Sequence, residues 1–225
     1  MLGIGSDLQT VLNFMPYILG GLKFTIALVF GGLGLGFLIG LPVATGRFYG
    51  SKWIDKVLSI YVWIFRGVPL VVQLFLLYYG FFNSFTNLGP LPSSIIILGL
   101  RSGSYQSQIF RGALQSVGRE QMEAAKSQGM TMKTAIWNIV YPQALRASLA
   151  AWSNEYAILL KDSAITFTIG VSEVLTRANY ARIPTGLVLL PYLVVGVMFI
   201  ILTYGGTGII DFVYQKFKVP GLIER

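Results

Sequence analysis

Two stretches of this chain, Phe24 to Thr45 and Leu187 to Gly208, contain no Asp, Glu, Lys or Arg. A bilayer crossing takes about 20 mainly apolar residues wound as helix, and each stretch supplies that length. Val57 to Phe82 is apolar apart from Arg66, and Leu91 to Leu114 is interrupted by Arg101 and Arg111. Pro142 to Ile169 is long enough to cross but carries Arg146, Glu155, Lys161 and Asp162. The expectation is an all-α integral membrane protein of about five spans, one domain over residues 1–225. Charged residues make up 12% of the chain against roughly a quarter in soluble domains, and 54% is hydrophobic.

The chain has no cysteine and no histidine. A Cys/His metal site, a Ser-His-Asp triad and a thiol nucleophile are therefore excluded, and no catalytic residue is expected. The net charge of +8 is spread over short loops and not gathered on one face, which argues against nucleic acid. Gly34-Leu35-Gly36 lacks the third glycine and the preceding strand of a dinucleotide fingerprint. Gly32, Gly36 and Gly40 instead recur every four residues, the spacing that lets membrane helices approach closely.

Five spans place the termini on opposite sides, and basic residues concentrate on the cytoplasmic side. With the N-terminus outside, that side holds Arg47, Lys52, Lys56, Arg111, Arg119, Lys126, Lys133, Arg146, Lys216, Lys218 and Arg225. The external segments then hold only Arg177 and Arg182, so the predicted orientation is N-terminus out and C-terminus in. Residues 1–22 have no Lys or Arg and contain Asp7, so the basic start of a signal peptide is missing and the first span is expected to stay.

Residues 119–140 are too polar to span. Arg119 to Gln128 has good helix formers and acids in its first turn, with Glu123 and Lys126 paired at i, i+3. Gly129 suits a left-handed cap, and Thr131 can cap a second short helix to about Val140. Pro142 fits the first turn of the next span. On these grounds alone the segment could be an amphipathic connector lying on lipid headgroups.

Several motifs in one order carry a resemblance. Glu123-Ala124-Ala125-Lys126-Ser127-Gln128-Gly129-Met130, followed by Pro142-Gln143-Ala144-Leu145-Arg146, resembles the cytoplasmic coupling loop of ABC importer permeases. Arg66-Gly67-Val68-Pro69-Leu70-Val71-Val72-Gln73-Leu74, Ile109-Phe110-Arg111-Gly112, Asn154-Glu155 and Lys161-Asp162-Ser163 are similar to the spans of the polar amino-acid type, over roughly residues 16–215. The chain departs from that pattern at Gln128, where leucine is usual, at Gln108, where an acid is usual, and at Arg101, where a small or apolar residue is usual. The resemblance implies a permease of the prokaryotic cytoplasmic membrane with a coupling loop at about 115–141, in which Glu123, Ala124, Ala125, Gly129 and Met130 meet an ATPase. It implies two ATPase subunits holding ATP and Mg, a second permease copy or close homologue, and an external solute-binding protein. Nothing in the chain resembles a phosphate loop, so ATP hydrolysis is expected on the partner.

Ionisable groups inside a span are costly and mark candidate function. Glu155 and Asp162, seven apart, share one helix face, with Asn154 and Lys161 on a neighbouring stripe. Glu155, Lys161, Asp162 and Ser163 are the candidate substrate residues, a set that offers acids and an ammonium to a free amino acid. Two acids against one lysine tilt the expectation towards a basic substrate, a balance that Arg66 or Arg101 in the same cavity would reverse. The competing roles are structural, with Lys161 reaching for the interface and Glu155 satisfying an arginine. The alternative function is an ATP-independent channel or secondary carrier, for which an internal inverted repeat would be the sign, and none is visible.

Overall fold

The computed structural model describes residues 4–117 and 119–217, and every regular element within them is helical. Lys218 and Arg225, counted above among the cytoplasmic basic residues, lie outside the described residues. The elements are α1 (Ile4–Leu19), α2 (Leu22–Tyr49), α3 (Lys52–Gly67), α4 (Leu70–Leu77), α5 (Pro90–Val117), α6 (Arg119–Ser127), α7 (Met132–Ala135), α8 (Tyr141–Ala164), α9 (Val174–Thr185) and α10 (Leu190–Phe217). Wider π-type turns extend α4 over Tyr78–Thr86 and join α7 to α8 over Ile136–Val140.

The closest helix pair is α2 against α5, and glycine makes it possible. A Cβ added at Gly36 would lie 2.9 Å from the Ser102 side chain, and one at Gly40 would lie 2.9 Å from the Gly103 carbonyl oxygen. From the other side, a Cβ at Gly99 would press on Leu35 and one at Gly103 on Ile39. Backbones meeting this closely gain dispersion contacts along their length, the main attraction available where lipid is as apolar as the side chains. Gly34 points away and has nothing within 4 Å.

Val57 to Phe82 is not one continuous helix. α3 and the α4 segment meet at 108°. Pro69 has no N–H to give, and Val68 before it is extended at φ −86°, ψ 132°, as the residue ahead of a proline prefers. The break frees carbonyls at the end of α3, and the buried Gln73 amide donates to Phe65 O of that helix at 2.9 Å and to Val68 O just beyond it at 2.7 Å. The Gln73 Nε2 of the Arg66-to-Gln73 motif thus holds the bend, while its Oε1 is buried without a partner.

Among the described residues, two helical stretches are long and apolar enough to cross a membrane, Leu12–Tyr49 and Leu190–Phe217. The bent pair Lys52–Gly67 and Leu70–Thr86 makes a third if counted as one. α5 and α8 are long but interrupted by charge, and of these charged groups Arg101, Glu155 and Asp162 lie at the seam between the two helices.

On the opposite side of the molecule from α6, α9 closes over the α1–α2 turn. Glu173 is fully buried and caps α9, accepting from Leu175 N at 2.8 Å, Thr176 N at 2.6 Å and Thr176 Oγ1 at 2.8 Å. Burial pushes its carboxyl above the usual range while these bonds pull it back down. Ile18, Val174, Ala178, Ala181 and Val195 form the apolar cluster beneath.

Gly40→Leu should wedge α2 off α5 and cost about 1–3 kcal/mol, the usual penalty for overpacking. Gly34→Ala, facing open space, should not lower stability. The midpoint of thermal unfolding in detergent, compared between the two variants, checks the assignment of this face.

Candidate translocation site and coupling surface

A chain of buried hydrogen bonds ties α8 to α5. Trp152 Nε1 donates to Gln106 Oε1 at 2.8 Å, and Gln106 Nε2 donates to Ser102 Oγ and to Leu33 O, both at 3.0 Å. Ser102 Oγ then donates to Glu155 Oε1 at 2.6 Å. Gln106 and Ser102 are fully buried and Glu155 is 3% exposed. Polar groups hidden this deeply stay only when bonded, so the chain sets how α8 lies on α5.

Two turns further along α8, Asp162 Oδ2 accepts from Arg101 Nε at 3.0 Å. Both side chains keep a little exposure, 15% for Arg101 and 16% for Asp162, so the pair borders open space. Arg101 Nη1 also reaches Phe65 O at the α3–α4 bend, at 3.5 Å. The Tyr105 ring receives two guanidinium groups, Arg101 and Arg66, each 5.1 Å from its centroid. A wider groove of about 620 Å³ between α2 and α8 is lined by Phe30, Leu33, Phe37, Leu145 and Leu149. It presents no charged side chain and suits apolar contact, not an amino acid.

The sequence-derived substrate residues separate. Glu155 and Asp162 do share the face towards α5, where each meets a partner. Lys161 is exposed together with Asn154 on another face, away from Asp162. Ser163 is fully buried and donates to Leu160 O at 2.7 Å. Ser102 and Gln106 escaped the sequence reading, whereas Arg101 stood out there as a break in an apolar run and as a charge that would reverse the balance in this cavity, and it meets Asp162. Among the described residues no group of three or more metal-ligating side chains occurs.

The polar segment folds as two short helices about a glycine. Gly129 sits at φ +81°, Met130 N donates to Ala125 O at 3.1 Å and Gly129 N to Lys126 O at 2.9 Å, which closes α6 in a left-handed cap. Thr131 caps α7, its Oγ1 accepting from Thr134 N at 3.2 Å. Met122 and Ala125 face inward with Val117, Ile136 and Val140, so Ala125 at 2% exposure packs within the chain itself. Glu123, Ala124, Lys126 and Gly129 form the open surface, with Met130 half-buried beside them.

Residues 32–219 match the family described as binding-protein-dependent transport system inner membrane component. The chain belongs to this family. It is 32% identical over 208 residues to the nopaline transport system permease protein NocM of Agrobacterium fabrum, covering 88% of this chain and 86% of that one. It is 35% identical over 167 residues to the L-cystine transport system permease protein TcyB of Bacillus subtilis, covering 74% and 71%. It is 31% identical over 199 residues to the histidine/lysine/arginine/ornithine transport system permease protein HisM of Escherichia coli, covering 84% and 83%. A crystal structure of an amino acid ABC transporter with histidines superposes with a TM-score of 0.83 at 30% identity, over 92% of this chain and 97% of that one. An inward-facing MetNI methionine ABC transporter shares the fold, with a TM-score of 0.80 at 21% identity and coverage of 92% and 99%. Permeases of this family are not catalytic, and ATP hydrolysis resides on a separate subunit.

Gln106→Leu removes the centre of the buried chain and strands the Trp152 N–H. A loss of about 1–3 kcal/mol for the orphaned group is expected. Gln121→Leu on the exposed face of α6 should shift stability by less than about 0.5 kcal/mol. Thermal unfolding of both variants measures the difference.

Proposed function

We propose that this chain is the membrane-spanning subunit of an ATP-driven importer of polar amino acids, crossing the membrane five times with its N-terminus outside. α2, the α3–α4 pair, α5, α8 and α10 are the spans, and α6–α7 lies at the cytoplasmic face. Two ATPase subunits carrying ATP and Mg, a second permease and an external solute-binding protein complete the machine. Family membership supports this reading, as do relatives named for the transport of nopaline, L-cystine and basic amino acids.

The observation that carries the substrate class is the Arg101–Asp162 pair at the edge of open space. A free amino acid bears one ammonium and one carboxylate, so it can enter such a pair by exchange, carboxylate to Arg101 and ammonium to Asp162. Neither protein charge is left alone at any stage, which matters because an uncompensated buried charge costs several kcal/mol. With Asp162 paired and Glu155 bonded to Ser102, two free acids no longer stand against one lysine. The site is balanced and reads the backbone common to all amino acids, which removes the ground for a basic preference at this position.

The surface of Glu123, Ala124, Lys126 and Gly129 is the ATPase contact in this reading, with Met130 supporting the elbow from beneath. ATP binding would draw the two ATPases together, carry both elbows inward and alternate access to the Arg101–Asp162 site.

Two experiments on the complex with its ATPase test these parts. Asp162→Asn and Arg101→Gln should each weaken binding of arginine, glutamine and glutamate alike by about tenfold or more, as expected for a charge left without its partner. A loss confined to arginine would restore the basic-substrate reading, and no loss at all would remove this pocket. Glu123→Lys and Gly129→Asp should insert normally yet abolish uptake, and normal uptake with normal ATPase association in both would reject the coupling surface.

A further inference from the structure

Arg47, near the end of α2, is nine-tenths buried, and its Nε donates to Asp55 Oδ1 at 3.1 Å. Ser59 Oγ donates to the same oxygen at 3.3 Å. The Arg47 Nη1 nitrogen is nevertheless buried without a hydrogen-bond partner, and so is Arg111 Nε nearby on α5. Unpaired buried donors are rare in folded proteins and ask for an acceptor.

Arg47 borders an open groove of about 480 Å³ between α3 and α5, shared with Ser59, Trp63, Arg66, Tyr105 and Gln108. Arg66, on α3, lies over the Tyr105 ring, and among the described residues it has no carboxylate partner. A guanidinium laid on an aromatic face keeps its N–H edge available for an oxyanion. The groove therefore holds two guanidinium groups against one carboxylate, and that carboxylate is already engaged. It also begins where the Arg101–Asp162 site ends, since Tyr105 touches both Arg101 and Arg66. From there it follows α5 towards α6.

We propose that this groove is a second, carboxylate-binding subsite, which takes the α-carboxylate of the amino acid after it leaves the Arg101–Asp162 pair on its way to the cytoplasm. The proposal rests on the reading of the chain as an amino-acid importer. Arg66 is the residue that contacts the passing carboxylate, and Arg47 with its unused N–H supplies the deeper charge. A site keyed to the α-carboxylate serves any amino acid whatever its side chain, and a weak second grip lowers the barrier to leaving the first. A phospholipid phosphate would present a similar oxyanion, so the test must separate the two.

The test uses the whole complex, with uptake measured in proteoliposomes and binding by calorimetry, arginine and glutamine being the probes. Arg66→Gln should lower the turnover of uptake about tenfold, the size of one lost charge-assisted hydrogen bond. The dissociation constant at the first site should stay within about twofold, because Arg66 lies outside it. Arg66→Lys should recover most of the rate. Unchanged uptake in Arg66→Gln overturns the subsite alone. Binding lost in step with turnover assigns Arg66 to the first site and overturns it too. A defect seen in phosphatidylglycerol vesicles and absent in pure phosphatidylcholine assigns the groove to lipid. Wild-type complex that takes up no amino acid overturns the importer reading and the subsite with it.

Discussion

The approach of α2 to α5 across Gly36, Gly40, Gly99 and Gly103 sets the rest of the structure. It brings the Leu33 carbonyl within reach of Gln106, so a main-chain oxygen of α2 becomes one anchor of the buried chain. Gln106 then orients Ser102 and receives Trp152, and Glu155 is held in consequence. With α8 fixed in rotation, Asp162 two turns along it faces Arg101 rather than lipid. Packing without a hydrophobic driving force thus depends on small residues first and on fully satisfied polar groups second.

Local features were legible in the sequence. The glycine stripe, the left-handed Gly129, the Thr131 cap and the common face of Glu155 and Asp162 are all set within a few residues, where backbone sterics and helical period decide. Long-range partners were not. Arg101 and Asp162 are 61 positions apart, and Trp152 and Gln106 are 46 apart. No periodicity encodes which acid an arginine will meet across a helix pair. The α3–α4 bend lay between these cases, since Pro69 announces a break in the helix but the angle comes from packing and from Gln73 covering the freed carbonyls.

The coupling segment shows why small residues can serve two purposes. Ala124 and Ala125 were expected together on a contact surface, yet adjacent helix positions point about 100° apart. Ala125 is spent inside, under Met122 and against Val140, where it lets α6 lie close to its own scaffold. Ala124 remains outside. The elbow is therefore packed from within and smooth without, as suits the ATPase contact proposed for it.

No loop separates α7 from α8. The backbone passes from Ala135 through the widened turns of Ile136–Val140 into Tyr141 with helical geometry at every junction. The segment beyond Thr131 and the carboxylate of Asp162 are thus parts of one rod, with the glycine as its only nearby pivot. With the elbow as the ATPase contact proposed above, a push there would arrive at the far end as a twist or slide of that rod against α5. The ion pair is the joint where this relative motion is felt, because its two halves ride on different helices. On the proposed reading, work delivered at the elbow becomes a change of electrostatic partner at Asp162, about six helical turns beyond the start of α8 at Tyr141.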